Sequence, residues 1–189
     1  MMFLDALRNV PTRASEDTVN VFVETPTGSR DKFDLDHECG LFRWSMQLPI
    51  GMAFPFSFGF VPNTIAEDGD PLDIALLVDG VFPQGTLCEA RLVGVLAMTQ
   101  DESGDGDAAT RNDRILAVPT MARSYGDVKD LGDLRADYCE EIADFFRSYN
   151  KLIGRSMESG EPLGREEADR RLVEAIERYE RSAENETRG

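Results

Sequence analysis

The stretch Asp68-Gly69-Asp70-Pro71-Leu72-Asp73 sets three carboxylates within six residues, with Glu67 immediately before them. Carboxylates crowded this closely repel one another unless protons or cations intervene. Oxygen donors at that density suit hard ions such as Mg2+, Mn2+ or Ca2+. A second acidic patch, Asp101-Glu102-Ser103-Gly104-Asp105-Gly106-Asp107, lies further along the chain. Its Asp101, Ser103, Asp105 and Gly106 imitate the opening of an EF-hand loop, but Asn112 stands at the closing position, so a solvated loop is its default reading. Two acidic clusters accompanied by isolated basic residues follow the logic of phosphoryl transfer to water. Cations neutralise an anhydride and activate water, and Lys or Arg stabilises the departing phosphate. The single histidine, His37, disfavours histidine-based zinc sites and Ser-His-Asp triads. Composition and spacing therefore reach a metal-dependent phosphohydrolase or a divalent-cation binder, and stop there.

These groups need rigid elements behind them. The apolar run Ile74-Ala75-Leu76-Leu77-Val78, closed by Asp79-Gly80, reads as a buried strand, so the first cluster sits where a loop enters a strand. Gly69 permits an unusual backbone angle there and Pro71 stiffens the turn. Residues 19–24 alternate and are β-branched, Pro26-Thr27-Gly28-Ser29 is a turn, and residues 32–36 alternate again. Together they predict a hairpin with Glu24, Lys32 and Asp34 on its polar face; Lys32 and Asp34, two apart, share one side of a strand. Further strands are expected over 41–46, 87–99 and 114–119, and the four phenylalanines Phe54, Phe56, Phe58 and Phe60 read as core. Helical spacing runs from Leu134 to Ile153, where Gly154 is placed to end it, and a second helix is expected from Glu166 to Arg181 with a thin stripe of Leu172, Ile176 and Tyr179. Residues 182–189 should fray. Strands followed by helices predict a single α+β domain over residues 1–189, built on a barrel or a strongly bent sheet.

Composition narrows the partners. Lys plus Arg total 20 against 36 Asp plus Glu, a net charge of −16, which argues against wrapping nucleic acid or docking on an anionic membrane. No apolar run approaches the roughly 20 residues of a membrane span, and the N-terminus carries no secretory pattern. Cys39, Cys88 and Cys139, odd in number and scattered, fit a reduced, cytoplasmic setting.

The acidic hexapeptide resembles the signature of soluble family I inorganic pyrophosphatases. The likeness extends in the family's order through Val23-Glu24-Thr25-Pro26, Lys32-Phe33-Asp34, residues 59–64, 93–98, Ala117-Val118-Pro119 and Phe145-Phe146-Arg147-Ser148-Tyr149. It covers about residues 18–153, with a helix over about 165–182 beyond. The resemblance implies an OB-like five-stranded β-barrel flanked by C-terminal α-helices, assembled as a homo-oligomer, commonly a hexamer. It also implies Mg2+-dependent hydrolysis of inorganic pyrophosphate to two phosphates, with Mn2+ or another divalent cation as a substitute. Carried over by position, Asp70 is the general base, and Asp68, Asp70 and Asp73 hold the metal. Glu24 matches an acidic residue near the outer metal, and Asp101, with Glu102 as the alternative, supplies a further ligand. Lys32, Arg114 and Tyr149 match phosphate-binding positions.

Departures from the pattern concentrate on the substrate side. Ser45 stands where the family has an arginine, with Arg43 two residues away. Phe54 and Phe58 replace tyrosines, Asn112 replaces a metal-binding Asp, and Arg114 replaces Lys. Asp113 is one residue out of register, Asn150 replaces Lys, and Lys151 is displaced by one. Each uncompensated loss removes a charge-assisted contact of about 1.5–3 kcal/mol. Three readings follow: a pyrophosphatase, a divergent paralogue acting on another phosphoanhydride or phosphate ester, and a non-catalytic metal-binding or assembly protein of the same fold.

Overall fold

The computed structural model describes residues 2–101 and 109–188. After a short helix α1 (Met2–Arg8), the chain runs through β1 (Val19–Thr25), β2 (Asp31–Asp36), β3 (Leu41–Gln47), β4 (Ser57–Phe60) and β5 (Asp73–Leu76). It continues through β6 (Leu87–Leu96), β7 (Met98–Asp101), β8 (Thr110–Arg111) and β9 (Arg114–Pro119). The C-terminal part contains α2 (Tyr138–Leu152), β10 (Ser156–Ser159), β11 (Leu163–Gly164) and α3 (Arg165–Arg188).

The large sheet has the order β1-β4-β5-β9-β6, and β6 returns to pair with β1, so five strands close into a barrel, with β11 added on β6. Its polarity is mixed: β5 and β9 run parallel and the other pairs antiparallel. The alternation of strand side chains divides the core in two. Ile74, Leu76, Ile115 and Ala117 join Val19, Val21 and Val23, and α3 seals that cluster with Ala168, Leu172 and Ala175. The opposite faces of the same strands, Ala75, Leu77, Leu116 and Val118, pack with Phe54, Phe56 and Phe58 under Ile142, Phe146 and Tyr149 of α2.

Close approach requires glycine at one point of this barrel. A Cβ at Gly59 would lie 2.0 Å from the Phe22 carbonyl oxygen on β1. Next to that pair the register slips: Val23 opposes Gly59 and Thr25 opposes Phe58, leaving Glu24 as an extra residue. Such a bulge re-aims one side chain while the ladder continues.

The expected strands and helices appear near their predicted limits, with one merger undone. The expected strand over 87–99 is two strands broken at Ala97, the second of which joins β8 and β10 in a separate sheet. Helix α3 extends through Arg188 rather than fraying from residue 182. A thin apolar stripe suffices for it because a dense run of ion pairs lies along its polar side.

Candidate active site

Four pieces of backbone deliver the charged side chains and Tyr149 to one cavity of about 610 Å3. The first is the acidic loop. Its ends are clamped by Thr64, almost fully buried, whose hydroxyl donates to the Val61 carbonyl at 2.6 Å and accepts from the Leu72 N–H at 3.0 Å. The Ala66 N–H donates to the Asp70 carbonyl at 2.7 Å, and Gly69 takes φ +93°. Asp68 accepts from the Asp70 N–H at 3.2 Å. The loop therefore holds Asp68 and Asp70 solvent-facing on a fixed turn, while Asp73 begins β5.

The second piece is β9. Its parallel register on β5 opposes Ile74 with Ile115, which sets Asp73 beside Arg114. The two meet at 2.8 Å. Arg114 is only 5% exposed, and its guanidinium lies between the rings of Phe58 at 5.6 Å and Phe146 at 5.2 Å. Phe58, which lacks a tyrosine hydroxyl, thus forms part of the aromatic slot that holds this cation. Arg114 also donates to the carbonyls of Asn112 and Asp113 and to the side-chain oxygen of Asn112. Its Nε, buried, has no hydrogen-bond partner among the described residues.

The third piece is β1 with the β2–β3 hairpin. The bulge turns Glu24 inward, where its carboxylate accepts the Leu35 N–H at 2.6 Å. Lys32 and Asp34 share the strand face expected of them and pair at 2.8 Å. A second bulge, on β3, makes Ser45 the extra residue, and its hydroxyl donates to Asp34. The fourth piece is the end of α2, which contributes Tyr149 and Ile153 to the wall, with Arg155 just beyond.

Burial and crowding act together on the acids. Burial pushes the Glu24 carboxyl up to about 8, with Asp34 and Asp73 adding to the effect against the Leu35 N–H and Lys32. Burial likewise lifts Asp73 to about 6 despite Arg114 and Lys32. Desolvation by the cavity wall, with the charge of Asp70, raises Asp68. Burial opposes the Lys32 charge, but Asp34, Tyr149 and Asp73 outweigh it and raise its pKa. His37, on the same wall, is lowered by burial.

Among the described residues, no three acidic, histidine or cysteine side chains stand close enough to form a ready ligand cluster. Like charges hold apart, and Asp73 is drawn to Arg114. The donor set nevertheless fits a hard divalent cation: it is all oxygen, and burial leaves Glu24 and Asp73 under-compensated in their charged forms.

Of the residues singled out by sequence, Glu24, Lys32, Asp68, Asp70, Asp73, Arg114 and Tyr149 line the cavity. Asp101 stands apart. It ends β7, 4% exposed, and the wall takes Gln100 and Asn112 instead. Neighbouring strand residues face opposite ways, so Gln100 toward the cavity carries Asp101 away. Glu102 lies outside the described residues. Asp113 faces α3, 3.1 Å from Arg171 and 3.5 Å from Arg111. Arg43 pairs with Asp36 at the hairpin surface. Asn150, 1% exposed, turns inward and donates to the Phe146 carbonyl at 2.9 Å. Sequence reasoning missed His37, Gln100 and Arg155. Only Arg155 carried a local signal, its place immediately after the helix-ending glycine.

A closed five-stranded barrel with carboxylates and cations converging on one cavity defines an OB-like protein equipped to handle a phosphate-bearing anion. Residues 21–180 match the family model described as "Inorganic pyrophosphatase". The chain is 36% identical over 146 residues to an inorganic pyrophosphatase of Synechocystis, covering 77% of this chain and 82% of that one. It is 37% identical over 164 residues to one from Corynebacterium efficiens, covering 86% and 98%. The crystal structure of inorganic pyrophosphatase from Thermus thermophilus superposes with a TM-score of 0.82 at 28% identity, over 92% of this chain and 98% of that one. The chain belongs to the inorganic pyrophosphatase family.

Proposed function

We infer that this protein hydrolyses inorganic pyrophosphate to two phosphates with a divalent cation, Mg2+ by preference. The observation that carries the reading is the meeting of Asp68, Asp70 and Asp73 with Lys32 and Arg114 on one cavity. Asp68, Asp70 and Asp73, with Glu24 behind them, would hold the cation, which when bound neutralises the anhydride and acidifies water. Asp70, solvent-facing on a fixed turn, accepts the proton of the attacking water as general base. Lys32, Arg114 and Tyr149 bind the phosphoryl oxygens, and Arg114 brings a fork suited to two of them. Attack at phosphorus breaks its bond to the bridging oxygen, and the electron pair leaves with the second phosphate.

Ser45 and the inward-turned Asn150 support a second reading, a paralogue with another phosphoanhydride as substrate. Phosphate release measured with pyrophosphate, tripolyphosphate and nucleoside triphosphates, with Mg2+ and with chelator, separates the two. Pyrophosphate should be the best substrate and chelator should abolish turnover. Preference for any other anhydride would replace the first reading with the second, and no release from any of them would sink both.

Homo-oligomer formation, up to a hexamer, is part of the same proposal. Trp44, Ile50 and Met121, 64%, 96% and 89% exposed, support it, and light scattering of the purified chain tests it. A cytoplasmic site of action is proposed on the free thiols of Cys39, Cys88 and Cys139. Among the described residues no helix is long and apolar enough to cross a membrane.

A further inference from the structure

The acidic loop carries a further carboxylate, Glu67, that is not part of the cavity lining. One residue before Asp68, it meets two arginines from different elements: Arg111 on β8 at 2.7 Å and Arg178 on α3 at 3.6 Å. Both arginines also reach Glu174 of α3, at 3.2 Å and 3.6 Å, and Arg111 lies 3.5 Å from Asp113. Two residues upstream of Glu67, both backbone polar groups of Ile65 end on α3. Its N–H donates to the Ala175 carbonyl at 3.0 Å, and its carbonyl accepts from the Arg178 guanidinium at 3.3 Å.

The far ends of these contacts are fixed. Arg111 opposes Thr99 in the β7–β8 pair, and the next N–H, of Asn112, donates to the Met98 carbonyl at 2.8 Å. Asp113 accepts the Met98 N–H at 3.1 Å and meets Arg171 of α3 at 3.1 Å. Helix α3 itself is seated on the barrel by Ala168, Leu172 and Ala175. Isolated ion pairs along a helix contribute little, but here shared carboxylates join three elements in one network. Thr64 closes the acidic loop on its own stem, whereas this network sets the loop against β8 and α3.

We propose that Arg111 and Arg178 are positioning residues: by gripping Glu67 from β8 and α3, they hold the acidic loop in the geometry in which Asp68 and Asp70 receive the divalent cation. The proposal rests on the cation-binding part of the pyrophosphatase reading and deepens it. Charge and positioning predict opposite signs. Removing an arginine leaves the carboxylate cluster more negative, so charge alone would tighten cation binding, whereas loss of the grip weakens it.

Equilibrium dialysis of the full chain against Mg2+, reading the tightest site, tests the sign. Binding should weaken about threefold to tenfold in Arg178→Met, and in the same direction in Arg111→Met on the other element. Arg178→Lys, which keeps the charge, should lose less. Arg181→Met, which removes an ion pair with Glu177 within α3, should bind Mg2+ as wild type does. Unchanged or tighter binding in Arg178→Met or in Arg111→Met overturns the proposal, as does equal weakening in Arg181→Met; if one of the first two variants fails to fold, the other decides. A wild-type chain that binds Mg2+ but releases no phosphate from pyrophosphate would defeat the functional reading alone, and the same dialysis would still decide this one. A wild-type chain that binds no Mg2+ would overturn both.

Discussion

The two halves of the cavity wall are built on different terms. On the carboxylate side, Asp68, Asp70 and Asp73 ride a loop clamped at both ends by a buried threonine and entering a core strand. On the cation side, each interior positive charge is matched internally: Lys32 by Asp34, and Arg114 by Asp73 and Asn112. The acids ride a clamped turn and the first residue of a strand, whereas each base is held by a direct contact with a neighbouring carboxylate. The difference teaches that the cation side is internally neutralised: on the proposed function, a phosphate binds there only by outcompeting partners already in place.

The comparison breaks most severely at Arg114. Arg114→Met leaves Asp73 without its partner and should cost about 3–5 kcal/mol of stability, as removal of one member of a buried pair does. Urea denaturation in chelator measures it. Repeating the titration in Mg2+ should shrink the loss if Asp73 serves a cation, and an equal loss in both media would separate Asp73 from metal binding.

A smaller effect is expected at Ser45, whose hydroxyl now serves Asp34. Ser45→Arg should engage Asp34 and release Lys32 toward substrate, lowering KM for pyrophosphate by about threefold to tenfold. An unchanged or higher KM would mean that Lys32 is not limited by Asp34.

The smallest effect belongs to the hairpin surface. Asp36 is held down to about 2, first by its hydrogen bond from Arg43 and then by the N–H groups of Cys39 and Glu38. A depressed carboxylate contributes stability that is present above its ordinary value near 4 and lost as pH falls through 2. Asp36→Asn should therefore lower the melting temperature slightly at pH 7 and not at pH 2, with activity unchanged. Scanning calorimetry at the two pH values checks it.

How much of this was legible in the sequence follows from what each signal depends on. Asp68, Asp70 and Asp73 lie within one turn, so local spacing displayed them, and period-2 alternation put Lys32 and Asp34 on one face. The Asp73–Arg114 pair depends on the parallel register of β5 on β9, which no local pattern encodes. The bulges that turn in Glu24 and Ser45 exist only against partner strands. Phe58 read as a lost hydroxyl because its second role, a wall for Arg114, requires α2 to be in place. The short strands β10 and β11 escaped notice because four and two residues carry no period of their own.

The central claim, that this cavity hydrolyses pyrophosphate with Asp70 as base, is tested most directly by phosphate release at neutral pH with Mg2+, comparing wild type with Asp70→Asn. The account predicts a fall of about 10²–10⁴-fold in the variant, with its melting temperature retained. A variant within about threefold of wild type would contradict it, because a general base contributes far more than that.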